Sequence, residues 1–221
     1  MKLLVYCPMY PGERRIRQQT IESIFALDCG HKCNVVFGRE DQVIDGEYAD
    51  TNTTKKYNEA RSMMLDGDYD AMLTVEADMV VPMIALQRFF RVNADVVYGL
   101  YVSRHSKKWL VFDELTQAAG SYACDEADFP KNAWGKVVES KGVGLGCTLI
   151  KRNVLENIPF RAGGPMSCDW YFALECEREG FTQKHDLGVV CGHIDNNEIL
   201  WPSLDPGLIR YEPLEGDTWL M

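Results

Sequence analysis

The stretch LTVEADMVVP, residues 73–82, places two carboxylates, Glu76 and Asp78, directly after an apolar run. The run predicts a buried strand, and side chains two residues apart on an extended chain point to the same side. Two neighbouring carboxylates repel each other unless a cation or a proton lies between them. A divalent ion would remove the repulsion and keep positions open for phosphate oxygens. Alternatively, both acids are solvated turn residues, or Asp78 helps to cap the following helix.

Two later segments also present polar side chains next to apolar runs. Ser167 and Asp169 stand at the start of the helix predicted for CDWYFALECEREGF, residues 168–181. Both residues suit an N-cap, but Asp169 could instead act as a general base. His193 follows the apolar run that ends in Gly192. A lone histidine at a strand end is more often structural, yet a histidine from another strand can add a metal ligand where carboxylates are few.

The cysteines have the sequence surroundings of reduced, buried residues. Most of the 8 cysteines lie within apolar runs, and without an export signal a disulfide framework is not expected. In CGHKC, residues 29–33, Cys29, His31 and Cys33 are crowded together. This cluster is either a metal knuckle that lacks a fourth ligand or a turn between a helix and a strand, with Gly30 as the helix C-cap.

Strands and helices are predicted to alternate along the first hundred residues, and they would position Glu76 and Asp78. The predicted strands are 2–8, 33–39, 69–78 and 94–104, the predicted helices are 11–28, 55–67 and 82–92, and a polar loop is predicted at 39–54. This alternation predicts an α/β fold with a mostly parallel sheet flanked by helices. Ligands of such sheets bind beyond the carboxyl ends of the strands, where the two acids would lie.

The second half of the chain is less regular. Residues 104–136 are polar and irregular, and residues 135–159 predict a strand, a glycine turn, another strand and a short helix. The glycines of KGVGLGC do not have the spacing of a dinucleotide fingerprint, so they are expected to form a tight turn or to let the backbone approach a ligand. The last strand is predicted at 188–194, and no second domain is evident.

Composition and charge limit the kinds of partner. The chain has 221 residues, of which 46% are hydrophobic and 25% are charged, as expected for one globular domain. A net charge of −10 does not favour general attraction to nucleic acid. No segment approaches the roughly 20 apolar residues that cross a bilayer, and MKLLVYCP is too short for a secretory signal. The expectation is a soluble cytoplasmic protein without a membrane span.

Taken in order, these motifs resemble the GT-A fold glycosyltransferases, close to the family 2 group. The resemblance runs from residue 1 to about 195 and rests on six segments: CPMYPGERRIRQQTIESI, YNEARSMMLDGDYDAMLTVEADMVVP, ADVVYGLYVSR, VGLGCTLIKRNVLENIPF, CDWYFALECEREGF and GHI. It implies a single GT-A domain at 1–195, with a nucleotide-sugar-binding half at 1–103 and an acceptor and catalytic half at 104–195. Residues 196–221 form a tail, interpreted as a lid or as a surface for a neighbouring subunit.

The resemblance also implies residue roles. Asp78, the last acid of the family's D-x-D motif, would bind a Mn²⁺ or Mg²⁺ ion that bridges the diphosphate of the donor, and His193 would be a second metal ligand. Glu76 replaces the usual first aspartate and would reach either the ribose or, through water, the metal. Asp169 would be the catalytic base, although Cys168 stands where the family usually has glutamate. The donor-binding residues would include Pro8, Tyr10, Arg39, Asp41 and Arg61.

The implied activity is transfer of a sugar from a nucleoside diphosphate sugar, by default a UDP-sugar, to an acceptor hydroxyl with inversion. The acceptor is open: a glycan, a lipid-linked sugar, a protein or a hydroxymethylated DNA base. For DNA, a local basic groove would be built from Arg104, Lys107, Lys108 and Lys131, with Trp109 and Trp134 either stacking on the ligand or lying in the core.

Two alternatives remain. One is a nucleotidyltransferase of related architecture, although the loop after the first strand contains only one glycine, Gly12. The other is a non-catalytic module that binds nucleotide-sugars, which the joint presence of Asp78, Asp169 and His193 does not favour.

Overall fold

The computed structural model confirms the predicted alternation of strands and helices. It describes residues 1–9, 16–30, 32–38, 49–116, 120–122, 132–142, 144–161, 166–204, 209–214 and 219–220. The helices are α1 Gln18–Phe25, α2 Ala49–Asp66, α3 Ala85–Phe89, α4 Arg152–Asn157 and α5 Cys168–Arg178. The strands are β1 Lys2–Pro8, β2 Ile16–Arg17, β3 Lys32–Gly38, β4 Ala71–Val75, β5 Met79–Val80, β6 Val96–Leu100, β7 Phe112–Leu115, β8 Gly120–Tyr122, β9 Val137–Glu139, β10 Cys147–Lys151, β11 Gln183–Val190, β12 Gly192–Asp195, β13 Glu198–Pro202, β14 Ile209–Pro213 and β15 Trp219–Leu220.

A sheet of seven strands lies at the centre, in the order β3-β1-β4-β10-β6-β11-β9. Strands β3, β1, β4, β6 and β11 run parallel, while β10 and β9 run antiparallel to their neighbours. The predicted class, a mostly parallel α/β sheet flanked by helices, is therefore confirmed. The five parallel strands bring their carboxyl ends to one edge of the sheet.

Both faces of the sheet are covered, which explains why β1 and β4 are apolar without alternation. Along β1, Leu3, Val5 and Cys7 pack into the core on one face, together with residues near α1 and α3. Leu4 and Tyr6 point to the opposite face and pack against side chains of α2, α4 and α5. Every residue of β4 is buried, so this strand presents Glu76 and Asp78 from a rigid support.

A second, smaller sheet brings the end of the chain to the same edge. Its strand order is β14-β13-β12-β5. The predicted last strand is divided in two: β11 stays in the central sheet, whereas β12 leaves it after Cys191 and pairs with β5. In this pairing His193 is opposite Met79, and the amide of Ile194 donates to the carbonyl oxygen of Asp78 at 2.8 Å.

Several predicted boundaries are wrong. The polar loop predicted at 39–54 is helical from Ala49 onwards. The sequence does not indicate this helix, because two of its buried positions are the polar residues Asn52 and Thr54. The turn before β3 contains Gly30 at φ +54°, but the cap of α1 is Ala26. Residues 198–202 and 209–213 of the tail are strands of the second sheet, and the interpretation of the tail as a lid stays a prediction.

The middle of the chain contains a hairpin of β7 and β8 that was not predicted. Trp109 is almost completely buried and packs with Leu100, Val102 and neighbouring apolar residues. Its ring lies 5.6 Å from that of Trp134, so the alternative in which Trp109 is a core residue agrees with the structure. Among the residues that the structure describes, no helix has the length and apolar character needed to cross a bilayer.

Candidate functional site

Asp78 lies between two potentially cationic side chains at the carboxyl edge of the central sheet. Its side chain is 11% exposed. Arg104 approaches Oδ2 with Nη1 at 3.0 Å, and His193 faces the same oxygen with Nε2 at 3.6 Å, beyond hydrogen-bond distance. Burial acts to raise the pKa of Asp78, but the nearby His193 and Arg104 outweigh burial and lower the pKa below its usual value. Asp78 is thus held as a carboxylate.

The orientation of His193 follows from its other ring nitrogen. Nδ1 lies 2.7 Å from the carbonyl oxygen of Val102, and since a carbonyl only accepts, Nδ1 carries the hydrogen and donates it. In the neutral ring Nε2 then has a free lone pair directed at Asp78. A histidine fixed through Nδ1 in this way is the usual arrangement for a metal ligand that binds through Nε2.

Glu76 is partly buried and belongs to the same cluster. The hydroxyl of Tyr57, on α2, donates to its Oε1 at 3.1 Å. Burial raises the pKa of Glu76 to about 7, and the charges of Asp78 and Asp169 act in the same direction, while His193 and Tyr57 oppose them. Glu76 and Asp78 therefore differ: the carboxylate of Asp78 is stabilised, whereas Glu76 titrates near neutral pH.

Asp169 lies in the first turn of α5. Its Oδ1 accepts hydrogen bonds from the amide of Trp170, at 2.8 Å, and from the hydroxyl of Ser167. Ser167 is the N-cap residue, but its side chain does not cap the helix. The charge of Asp169 acts to raise the pKa of both Glu76 and Tyr101. The start of α5 thus adds a third carboxylate whose charge acts on Glu76.

The glycines of KGVGLGC shape the wall of the site by admitting tyrosine rings. Gly144 has φ +118°, and a Cβ there would lie 1.9 Å from the hydroxyl oxygen of Tyr101. A Cβ on Gly146 would lie 2.9 Å from Cζ of the same ring. Tyr101 in turn packs edge-on against His193, with ring centroids 5.7 Å apart. The predicted close approach is therefore to a protein side chain that supports His193.

The structure does not bring all predicted site residues together. Pro8 ends β1 at the expected edge and is buried. Arg61 donates instead to the carbonyl oxygens of Leu155, at 2.5 Å, and Glu156, at 3.3 Å. These carbonyls lie in the last turn of α4, where they have no partner within the helix. Predictions for Tyr10, Arg39, Asp41, His31 and Lys131 lie outside the described residues.

Sequence reasoning missed Asn52 and Lys56, one helical turn apart in the first half of α2. Both are almost completely buried, at 3% and 2% exposure. Burial raises the pKa of the Cys7 thiol most, the charges of Asp78 and Glu76 raise it further, and that of Lys56 lowers it. Asn52 and Lys56 were missed because the polar composition of residues 49–56 indicated a loop.

The described residues fit a divalent ion only in part. Among them, no group of three or more His, Cys, Asp or Glu side chains is arranged to hold a metal ion. Oδ1 of Asp78 and Nε2 of His193 are nevertheless shielded from solvent without a hydrogen-bond partner in the described part of the chain, whereas Oδ2 of Asp78 is engaged by the ion pair with Arg104. Such orphaned polar atoms are uncommon in proteins. They suit an ion that takes two protein ligands and completes its coordination with phosphate oxygens and water.

Comparison with solved structures shows that this fold occurs in another protein. The chain is similar to A197 from STIV, with 20% sequence identity and a TM-score of 0.66, over 99% of this chain and 96% of that chain. No protein-family model matches the sequence, and no curated protein matches it with significance.

Two other structures share less of the architecture. One is a glycosyltransferase involved in the glycosylation of the major capsid of PBCV-1, with 13% identity and a TM-score of 0.40, over 71% of this chain and 63% of that chain. The other is the inositol-1-phosphate CTP transferase from T. maritima, with 10% identity and a TM-score of 0.41, over 83% and 84%. Both are too distant to bear on function. The likeness to A197 concerns the fold alone, so function has to be argued from the site.

Proposed function

We propose that this protein is a metal-dependent glycosyltransferase that moves a sugar from a nucleoside diphosphate sugar to an acceptor hydroxyl. The observation that carries the proposal is the convergence of four residues from three separate segments at the carboxyl edge of the parallel sheet: Glu76 and Asp78, His193, and Asp169. Ligands of open α/β sheets bind at this edge. The resemblance of the motifs to the GT-A family supports the same reading.

Asp78 and His193 would hold Mn²⁺ or Mg²⁺, since the lone pairs of both point to the space between them. The ion would stabilise the negative charge that gathers on the leaving diphosphate. Glu76 would accept a hydrogen bond from the ribose or bind a water of the ion. UDP-sugars are the default donors, by resemblance to the family.

Asp169 would act as the base. The acceptor hydroxyl oxygen attacks the anomeric carbon, the bond from that carbon to the diphosphate oxygen breaks, and Asp169 accepts the hydroxyl proton. A base on the face opposite the leaving group gives a single displacement with inversion. The hydrogen bonds that Oδ1 accepts from Ser167 and from the Trp170 amide orient the carboxylate.

The candidate acceptors are glycans, lipid-linked sugars, proteins and hydroxymethylated DNA bases. Two members of the predicted basic groove are already engaged by acids: Arg104 by Asp78, and Lys107 by Asp195 at 2.8 Å. This pairing does not favour a nucleic-acid acceptor.

The test is a panel of UDP-, GDP- and dTDP-sugars, incubated with and without Mn²⁺ and assayed for nucleoside diphosphate release. Wild-type protein should release nucleoside diphosphate in the presence of the ion. Asp78→Ala should abolish the metal-dependent turnover, and Asp169→Asn should reduce transfer about 100-fold or more while donor binding, measured by calorimetry, is retained. Asp113→Ala, an exposed acid on β7, serves as the control and should behave as wild type.

Three results would contradict this scheme. Release of pyrophosphate from a nucleoside triphosphate would indicate the nucleotidyltransferase alternative. Tight nucleotide binding without turnover of any sugar donor would indicate the binding module. A normal transfer rate for Asp169→Asn would remove that residue from the role of base.

A further inference from the structure

A closed turn between β6 and Trp109 carries Arg104 to the site. The amide of Ser103 donates to the carbonyl oxygen of Lys108 at 2.8 Å, and the amide of Lys107 donates back to Ser103 at 3.0 Å. The Lys107 ammonium pairs with Asp195, at the end of β12. The position of Arg104 is therefore set by the backbone of a short turn that is tied to the strand carrying His193.

The guanidinium of Arg104 contacts the atom that a metal ion would need. Its Nη1 lies 3.0 Å from Oδ2 of Asp78, the same oxygen that Nε2 of His193 faces at 3.6 Å. The Arg104 side chain is 34% exposed, whereas that of Asp78 is 11% exposed. The arginine thus approaches the carboxylate from the solvent side, and the histidine approaches it from the protein interior.

We propose that Arg104 competes with the divalent ion for Asp78 until a diphosphate binds the guanidinium, so that metal and nucleoside diphosphate bind cooperatively. Two cations near one oxygen repel each other, so an ion can bind Oδ2 well only when Arg104 has moved away. Arginine pairs readily with phosphate oxygens, and its exposed position leaves the side chain room to turn towards an incoming diphosphate. The diphosphate half of this inference rests on the proposed function.

The coupling has a reciprocal consequence. If a nucleoside diphosphate strengthens metal binding, the metal must strengthen nucleotide binding by the same factor. Coupling free energies between ligands commonly correspond to factors of about 5 to 150. If Arg104 only supports the turn, the direct contact between ion and diphosphate still couples the two ligands, but Arg104→Gln should not reduce the coupling.

Lys107 provides a matched control. It lies in the same turn, carries the same charge and pairs with an acid on β12, but its partner is Asp195 rather than Asp78. Lys107→Gln therefore removes one positive charge and one ion pair from the turn while leaving Oδ2 of Asp78 contacted by Arg104. Arg104→Gln removes that contact.

The experiment is a titration with Mn²⁺, followed by electron paramagnetic resonance of the free ion, with and without UDP. Without UDP, Arg104→Gln should bind Mn²⁺ about tenfold more tightly than wild type, a factor within the usual range of such couplings, and Lys107→Gln should bind as wild type does. UDP should strengthen Mn²⁺ binding by wild type and have a smaller effect on Arg104→Gln. Adding Asp78→Asn should abolish the tight binding by Arg104→Gln.

Several outcomes would overturn the inference. These are unchanged or weaker Mn²⁺ binding by Arg104→Gln, an equal gain in Lys107→Gln, an equal effect of UDP on wild type and Arg104→Gln, or tight binding that survives Asp78→Asn. Because the titration requires no turnover, its result is independent of the sugar-transfer assay. Competition without sugar transfer would refute the proposed function alone, and transfer without competition would refute this inference alone.

Discussion

Replacing Gly144 by alanine should strongly destabilise the protein, because the backbone has a conformation that favours glycine and there is no space for a side chain. The backbone has φ +118°, and the added Cβ would lie 1.9 Å from the hydroxyl oxygen of Tyr101 and 3.0 Å from Cζ. A backbone angle of this kind costs about 1–3 kcal/mol for a residue other than glycine. Overpacking against a buried ring costs about 1–3 kcal/mol more. The expected loss is therefore about 2–6 kcal/mol out of a typical total of about 5–15 kcal/mol.

Three further variants separate the backbone strain from the steric clash. Gly180→Ala shares a positive φ, +77°, but has nothing within 4 Å of the added Cβ, so it should cost only about 1–2 kcal/mol. Tyr101→Phe removes the hydroxyl that the Gly146 amide contacts at 3.3 Å and should cost about 1 kcal/mol. In the double variant Gly144→Ala/Tyr101→Phe the worst contact is absent, so its loss should be smaller than the sum of the two single losses.

Equilibrium urea unfolding of wild type and the four variants, followed by circular dichroism, measures these losses. The coupling free energy between positions 144 and 101 should be about 1–2 kcal/mol, as for residues in direct contact. Additive losses would show that the tyrosine does not set the cost at Gly144. A loss in Gly144→Ala no larger than that in Gly180→Ala would refute the packing argument altogether.

Two further predictions concern charged residues. Burial raises the pKa of Glu76 from its ordinary value of 4.5 to about 7 in the folded protein. The free energy of unfolding should therefore fall as the pH rises through this window, by at most about 3 kcal/mol. Glu76→Gln should remove that fall; unfolding at pH 4 and pH 8 tests this, and an unchanged pH dependence in the variant would contradict the assignment. Arg61→Gln should lower the free energy of unfolding by about 1–2 kcal/mol, because carbonyl groups at the end of α4 lose their hydrogen bonds to Arg61. The affinity for UDP, measured by calorimetry, should stay unchanged. A loss of UDP affinity would instead place Arg61 at the nucleotide.

Much of the fold could be predicted from the chain because the signals are local. Strands β1 and β4 are buried on both sides, so their sequences are unbroken apolar runs. Helix α2 packs against the same sheet, so apolar residues recur along one side of it. Both patterns are visible in the sequence. The first half of α2 was missed because polar residues that are buried, Asn52 and Lys56, look like loop residues when only local polarity is considered. The tail strands were missed because they lie outside the central sheet: β13 pairs with β12, β14 pairs with β13, and β15 pairs with β2.

For the site, the sequence by itself determined which residue types stand after which strands: two acids after β4, a histidine after a glycine late in the chain, and an acid at the start of α5. The sequence also predicted that Glu76 and Asp78 point to the same side, because side chains alternate along an extended chain. Only the tertiary structure decided how these groups differ. Strand β12 leaves the central sheet and thereby places His193 beside Asp78. A turn remote in sequence places Arg104 against Oδ2 of Asp78. Burial and the hydrogen bond from Tyr57 give Glu76 a different pKa from that of Asp78. Charge interactions act through space and depend on burial, so their outcome depends on segments that meet only in the folded chain.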